Sequence, residues 1–320
     1  MDLAQRFRDF AVREVDDNSP LYYRRALAIA EDSSVLALLS RLPVDRQQPN
    51  LVLAAARLNG ANATSYREFR TQLIERWSVI EATARSHRTQ TNEVGRAATL
   101  LPVLAGLRGP LALIEVGASA GLCLYPDRFS YRYGTTMLDP SDGESRVLLP
   151  CAVTGAVPLP AALPEVIYRA GVDLNPLDVT DQHSRDWLEA LVWPGQEERV
   201  TRLRAACEIV AADPPILVSG DLNERVAELV RAAPADSTVV VFHSAVLTYL
   251  SPEARQQFRT TVRSLPCHWI SQEGSNVLPW LSGQLPARDT ERARMVVALD
   301  EVAVAFADPH GRSLGWFASV

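Results

Sequence analysis

Lysine is absent from this sequence: all 32 basic residues are arginine. That absence excludes chemistry that depends on an amine. A P-loop would lack its phosphate lysine, a pyridoxal enzyme its Schiff-base lysine and a protein kinase its strand lysine. Cysteine is scarce too. Cys123, Cys151, Cys207 and Cys267 are far apart and form no C-x-x-C pair, so they suit neither a zinc site nor a disulfide framework and read as buried thiols. The five histidines are scattered, with no H-x-H or H-E-x-x-H to bring two onto one ion, and no metal is expected. No apolar run approaches the ~20 residues that cross a bilayer, so membrane insertion is not expected. The opening "MDLAQRFRDFAVREVDDNSP" is charged throughout and lacks the apolar core of a signal peptide, which points to a mature cytoplasmic protein. A net charge of −6 with dispersed arginines gives no basic stripe, so nucleic acid is not an expected partner. A small-molecule or protein substrate remains.

The 320 residues, 47% hydrophobic and 22% charged, describe a globular chain with one domain of ordinary size and a substantial addition. Residues 1–108 read as helices and form a helical domain or cap: Leu3, Phe7 and Phe10, then Leu27, Val35, Leu38 and Leu39, then Tyr66, Phe69, Leu73 and Trp77 recur at helical spacing. After "RGP" at 108–110 the pattern changes. Short β-branched runs, "LALIEV" (111–116), "VIYRAGVDL" (166–174), "PILVSG" (215–220), "TVVVFHS" (238–244) and "CHWISQEG" (267–274), alternate with helical segments. Such alternation signals a parallel sheet covered on both faces. The closing "ARMVVALDEVAVAFADPHGRSLGWF" reads as two strands about a "DPHG" turn. The fold class expected is α/β: a doubly wound, mostly parallel, seven-stranded Rossmann-like sheet over 109–320 with a closing antiparallel hairpin, preceded by an all-helical N-terminal region. Residues 134–164, rich in Pro and Gly, read as an inserted loop or hairpin.

The stretch "LIEVGASAGL" (113–122) poses the functional question. As a glycine turn after a strand, with Gly117, Ser119 and Gly121 small and Glu115 acidic, it suits a nucleotide cofactor, provided a helix N-terminus comes next. As G-x-S-x-G it suits the elbow of a serine hydrolase with Ser119 as nucleophile, although the strands and oxyanion loop that should precede an elbow are missing and none of His243, His268 and His310 stands out as the base. A tight structural turn is the third reading. Asp173 in "GVDLNPLD" and Asp221 in "SGDL" end the next two strands, where acids accept hydrogen bonds from a nucleoside; each could instead cap the next helix. His243 and Tyr249 in "FHSAVLTYL" end the fourth strand and suit a general base and a substrate contact, or a satisfied histidine and a packing ring. Asn92, Glu93 and Arg96 in "TNEVGR" suit a substrate pocket, or a helix cap with an ordinary i,i+3 pair. Trp187, Trp193 and Trp280 read as packing residues.

This set of strand-end residues resembles the S-adenosylmethionine-dependent methyltransferases of the seven-stranded class. The resemblance covers residues 110–320 and implies S-adenosylmethionine as cofactor, with Glu115, Gly117, Ser119 and Gly121 about the methionine moiety, Asp173 at the ribose and Asp221 at the adenine edge. Ser119 stands where that class has its middle glycine. Across nearly the whole chain the sequence also resembles the bacterial domain-of-unknown-function family 2332, through "QTNEVGR" (90–96), "LIEVGASAGL", "YRAGVDLNPLDV" (168–179), "ALVWPGQEER" (190–199) and "VVVFHSAVLTYL" (239–250); that likeness implies a fold and assigns no catalytic residue. Three functions therefore stand side by side: a class I-like methyltransferase, a serine hydrolase using Ser119, and a non-catalytic Rossmann-like binding module.

Overall fold

The computed structural model describes residues 2–15, 18–90, 93–286 and 294–318. In chain order the helices α1 (Leu3–Phe10), α2 (Pro20–Glu31), α3 (Ser33–Leu39), α4 (Pro49–Leu58), α5 (Tyr66–Glu75), α6 (Trp77–Ser86) and α7 (Ala97–Leu104) come first. Strands β1 (Leu111–Val116), β2 (Ser130–Tyr133), β3 (Thr136–Leu138), β4 (Leu148–Thr154) and β5 (Val166–Asp173) are next. Then come α8 (Gln182–Leu191), α9 (Glu197–Ala212), β6 (Ile216–Ser219), α10 (Leu222–Ala232), β7 (Thr238–Ser244), α11 (Pro252–Arg263), β8 (His268–Gly274), β9 (Met295–Leu299), β10 (Val302–Ala307) and β11 (Ser313–Trp316). Among the described residues no helix is long and apolar enough to cross a membrane.

The chain divides into two compact units, residues 1–91 with 180–204, and residues 92–179 with 205–320. The first is helical. Its interior holds Phe7, Phe10, Tyr22, Ile29, Leu53, Phe69, Leu73 and Ile80, the residues whose helical spacing gives one apolar face per helix. Trp187 of α8 is fully buried there and donates its indole N–H to the Arg88 carbonyl, and Trp193 donates to Asn50. Both tryptophans pack, as their sequence context suggests.

The second unit holds one eleven-stranded mixed sheet in the order β3-β2-β4-β11-β10-β9-β8-β7-β1-β5-β6. This corrects the seven-stranded, mostly parallel sheet expected from the sequence. The five β-branched runs do form a parallel block, β6-β5-β1-β7-β8. Beyond it β8, β9, β10 and β11 form an antiparallel meander, so the closing segment holds three strands rather than two. The turn hidden in it is Asp300-Glu301, two non-glycine residues at φ 49° and 67° where Asn-Gly is the usual signal. Asp300 is held there because its carboxylate accepts from the Trp269 N–H at 2.8 Å and faces His268 Nδ1 at 2.7 Å, while its own N–H donates to the Trp269 carbonyl. The remaining strands, β2, β3 and β4, lie in or beside the Pro/Gly-rich stretch; β4 pairs with β11 and β2, and β3 closes the edge. β2 and β3 are too short to show alternation locally, and β4 carries Pro150 inside it, a residue that argues against a strand within a sheet.

The region before the sheet is not purely α-helical either, a second correction. It includes a π-helical turn at Ala11–Val15, 3-10 turns at Val44–Arg46 and Val94–Arg96, and irregular backbone at 61–65 and 87–90. Gly60 at φ 78° ends α4 and Pro43 and Pro49 punctuate the chain, which is why helical periodicity there is interrupted. In the second unit α10 packs on β1 and β5 and against α11, burying Val226, Leu229, Phe258 and Val262 on Ile114, Val172, Val241 and Trp269.

Candidate functional site

Counted among themselves, the parallel strands stand in the order 3-2-1-4-5, so the chain leaves β1 first towards β5 and later returns to its other side as β7. The carboxyl ends of β1 and β7 thus border a switch point, where open α/β sheets hold ligands. The turn after β1 lies there. Gly117, Ser119 and Gly121 all have left-handed backbones, φ 71°, 51° and 69°. The Gly117 and Ala118 N–H groups donate to the Val172 carbonyl at the end of β5, and Ser119 N–H donates to Asp173 Oδ2 at 2.9 Å. Asp173 Oδ1 accepts from Asn175 N–H at 2.8 Å, so this carboxylate ties two loops together while the residue stays partly exposed.

Beyond the turn the chain departs from both functional templates. A 3-10 turn, Leu122–Leu124, leads to Tyr125 and then Pro126, whose ring would clash inside a continuing helix, and the next element is β2. The turn therefore leads into no helix N-terminus, either as a phosphate cradle or as the helix of a nucleophile elbow. A Cβ on Gly117 would lie 2.3 Å from Val246 Cγ2, so the loop after β7 sits on this glycine. A Cβ on Gly121 would meet Pro215, Leu124 and Leu217, which are packing neighbours. Ser119 is 4% exposed.

Glu115 is the unusual group. It is buried at the end of β1, and its Oε2 has no hydrogen-bond donor among the described residues. Burial pushes its carboxyl well above the usual carboxylate range, with the Arg96 charge opposing and that of Asp173 adding. Arg96 is itself buried and donates Nε–H to the Pro309 carbonyl at 2.9 Å and Nη1–H to the Ser244 carbonyl at 3.0 Å, joining the end of β7 to the β10–β11 turn. Glu93 Oε1 accepts from Gly95 N–H, and its Oε2 lies 3.3 Å from His310 Nδ1. The two turns meet backbone to backbone: a Cβ on Gly311 would lie 1.8 Å from the Gly95 carbonyl oxygen. Cys123 reaches the Glu93 carbonyl at 3.6 Å, and burial, with Glu115 adding, raises its thiol well above the ordinary value, so it is a poor nucleophile.

The structure thus brings together Glu93, Arg96, Glu115, Gly117, Ser119, Gly121 and Asp173. Asn92 lies outside the described residues. His243 is fully buried, and both ring nitrogens are engaged. The Trp269 indole N–H donates to its Nε2 at 3.0 Å, which leaves Nδ1 to donate to Glu273 Oε1 at 2.8 Å. Glu273 Oε1 also accepts from the N–H groups of Val246 and Leu247, so His243 belongs to the anchor of the loop that covers Gly117. Tyr249 is 75% exposed beyond that loop. Asp221 is the N-cap of α10, accepting from Asn223 N–H. His310, which sequence reasoning did not single out, reaches the site because β10 runs parallel to β8 and ends at the same sheet edge; seeing this required the hidden Asp300-Glu301 turn. An open cleft of about 440 Å³ lies elsewhere in this unit, lined by Tyr125, Arg128, Asp142, Arg146, Glu208 and Asp213 among others, and includes neither Glu115 nor Asp173. Among the described residues no group of histidine, cysteine and carboxylate side chains could hold a metal ion.

A model of the family described as an uncharacterized protein conserved in bacteria, DUF2332, matches residues 4–316. No curated protein matches the chain.

Proposed function

Because the chain belongs to that bacterial family, whose description names no reaction, we propose its function from the site alone: the carboxyl edge of β1, β5 and β7 binds a cationic, phosphate-free nucleoside cofactor, S-adenosylmethionine, for methyl transfer to a small-molecule or protein acceptor. The observation that carries this reading is Glu115, a buried acid at a switch point with an oxygen that lacks a donor among the described residues. A buried carboxylate is stable only with a partner, and a ligand bearing positive charge and N–H donors is such a partner.

The arrangement of the residues favours one kind of cofactor over another. A dinucleotide or a nucleoside triphosphate needs a helix N-terminus or a nest of free N–H groups at the turn; here the turn's N–H groups of residues 117, 118 and 119 are spent on Val172 and Asp173. S-adenosylmethionine carries no phosphate and needs none of these. Glu115 would face its positive charge, and the partly exposed Asp173 retains lone pairs for ribose hydroxyls. When bound, that cofactor supplies an already activated methyl group, so positioning contributes more to the rate than acid-base chemistry. His310, held beside Glu93 at the rim, would take a proton from the acceptor. Asp221 and His243 do not enter this reading, the first being a helix cap and the second sealed in the core.

Isothermal titration with S-adenosylmethionine and S-adenosylhomocysteine tests it. Heat of binding and thermal stabilisation are expected, and Glu115→Gln should weaken the affinity by about tenfold or more, which is roughly 1.4 kcal/mol. No heat and no stabilisation at millimolar ligand would overturn the reading. The hydrolase alternative draws on one observation, the left-handed backbone of Ser119, and requires fluorophosphonate labelling that Ser119→Ala abolishes.

A further inference from the structure

The open cleft of about 440 Å³ in the sheet unit is separate from the strand-end site, and its size falls within the roughly 300–1,000 Å³ of small-molecule sites. One wall is the loop between β3 and β4, with Pro140, Asp142, Glu144 and Arg146; the other is the C-terminal half of α9, from Ala205 to Asp213. Arg146 bridges the two walls through an ion pair with Glu208. Beneath them Tyr125 is buried, its O–H donating to the Asp213 carbonyl and its ring stacked against the Arg169 guanidinium at 4.5 Å. The loop is pinned at both ends by one fully buried hydroxyl. Ser130 Oγ accepts from Ser145 N–H at 2.8 Å and donates to Asp139 Oδ1 at 2.6 Å, which holds this wall in place.

Charge in the cleft does not balance. Glu208 answers Arg146, and Asp127 answers both Arg128 at 3.5 Å and the buried Arg169 at 2.7 Å. Asp142 and Glu144 remain, both exposed and without an ion pair or side-chain hydrogen bond among the described residues. On the other wall Asp213 is exposed and comes no nearer to Arg169 than 4.0 Å. The last turn of α9 contains no basic residue, so the negative end of its dipole is uncompensated by its own helix. Unanswered negative charge therefore stands on both walls. Pro140, Ala205, Ile209 and Ala212 give the same cleft an apolar lining. Among the described residues these acids do not converge closely enough to hold a metal ion. Charges that are spread over two walls, with apolar surface in the same space, match an extended cation and not a point ion.

We infer that this cleft binds a linear organic polycation, a diamine or polyamine. One ammonium group would sit at Asp142 and Glu144 and another at Asp213 and the carboxyl end of α9, with the methylene chain along Ile209 and Ala212. Each ammonium offers several N–H donors to carboxylate and carbonyl oxygens. The site is independent of the strand-end site and of the function proposed for it.

Isothermal titration with spermidine and with putrescine at low ionic strength, each repeated in the presence of equimolar magnesium chloride, tests the inference. Saturable binding of one amine per chain is expected, tighter for spermidine, and magnesium should not displace it. Asp142→Asn combined with Glu144→Gln changes exposed loop positions, so it should keep the parent Tm while weakening spermidine binding roughly tenfold. Glu31→Gln combined with Glu75→Gln removes the same charge from exposed positions of the helical unit and should leave the affinity unchanged. No heat with either amine at millimolar concentration would overturn the site. So would displacement by equimolar magnesium, an affinity kept in full by the loop variant, or an equal loss in the helical-unit variant, which would reduce the binding to net charge.

Discussion

At the scale of single residues, partner and burial decide chemistry more than residue type does. His243 has the side chain of a general base, yet Trp269 and Glu273 fix its tautomer inside the core. Cys151 and Cys267 are pushed up to about 12 and about 11 by burial, with Asp308 and Asp300 adding, so both remain thiols at neutral pH. Glu115 is the converse, an acid whose Oε2 has no donor among the described residues. Its folded pKa lies above the ordinary carboxylate value, so the folded state holds the proton more tightly than the unfolded chain does. The stability it contributes is complete below about pH 4.5 and is lost as pH rises towards the folded value. Glu115→Gln removes that loss. In the absence of ligand, the variant should gain on the parent protein in Tm steadily from pH 5 to pH 8. A gap that stays constant with pH would mean that Glu115 is not protonated more tightly in the fold.

At the scale of elements, the turn after β1 is shaped by the loop after β7. Gly117 has both a left-handed backbone and no room for a Cβ, since Val246 occupies that space. Gly117→Ala should destabilise the protein by about 2–4 kcal/mol, combining the backbone conformation with overpacking. Adding Val246→Ala removes the second contribution only. Urea unfolding of the two single variants and the double variant should therefore show a favourable coupling of about 1–2 kcal/mol. Additive effects would mean that the loop yields freely, despite its anchor on Glu273.

At the scale of the whole molecule, the helical unit is discontinuous in sequence, formed by residues 1–91 and 180–204. α8 packs on α4 and supplies the buried Trp187, while the backbone at 192 and 194 accepts from Arg57 and Ser19. A fragment of residues 1–108 would leave these groups without partners and expose the apolar face of α4. It should show little cooperative unfolding by circular dichroism, and adding a 180–204 peptide should increase its helicity. A cooperative transition in the fragment alone would show that the first segment carries its own core.

The sequence by itself determined the helices of the first third and the parallel block of the sheet, because apolar spacing and β-branched runs are local and the strands of that block inside the edge strand β6 are buried on both sides. It also located the carboxylates at the ends of β1 and β5. Tertiary structure alone decided the rest. β2, β3 and β4 exist because an edge was available for them to extend, and β9 separates from β10 because Asp300 is held in a left-handed turn by groups on β8. The turn "GASAG" satisfies two motifs on paper, but whether a helix comes after it and what lies over Gly117 depend on Pro126 and on a loop more than a hundred residues later. The same holds for His310 beside Glu93, which meet only when the meander carries the "DPHG" turn back to the sheet edge. Local propensity writes the elements, while the pairing of distant polar groups, forced by the cost of burying them alone, selects which of them share a site.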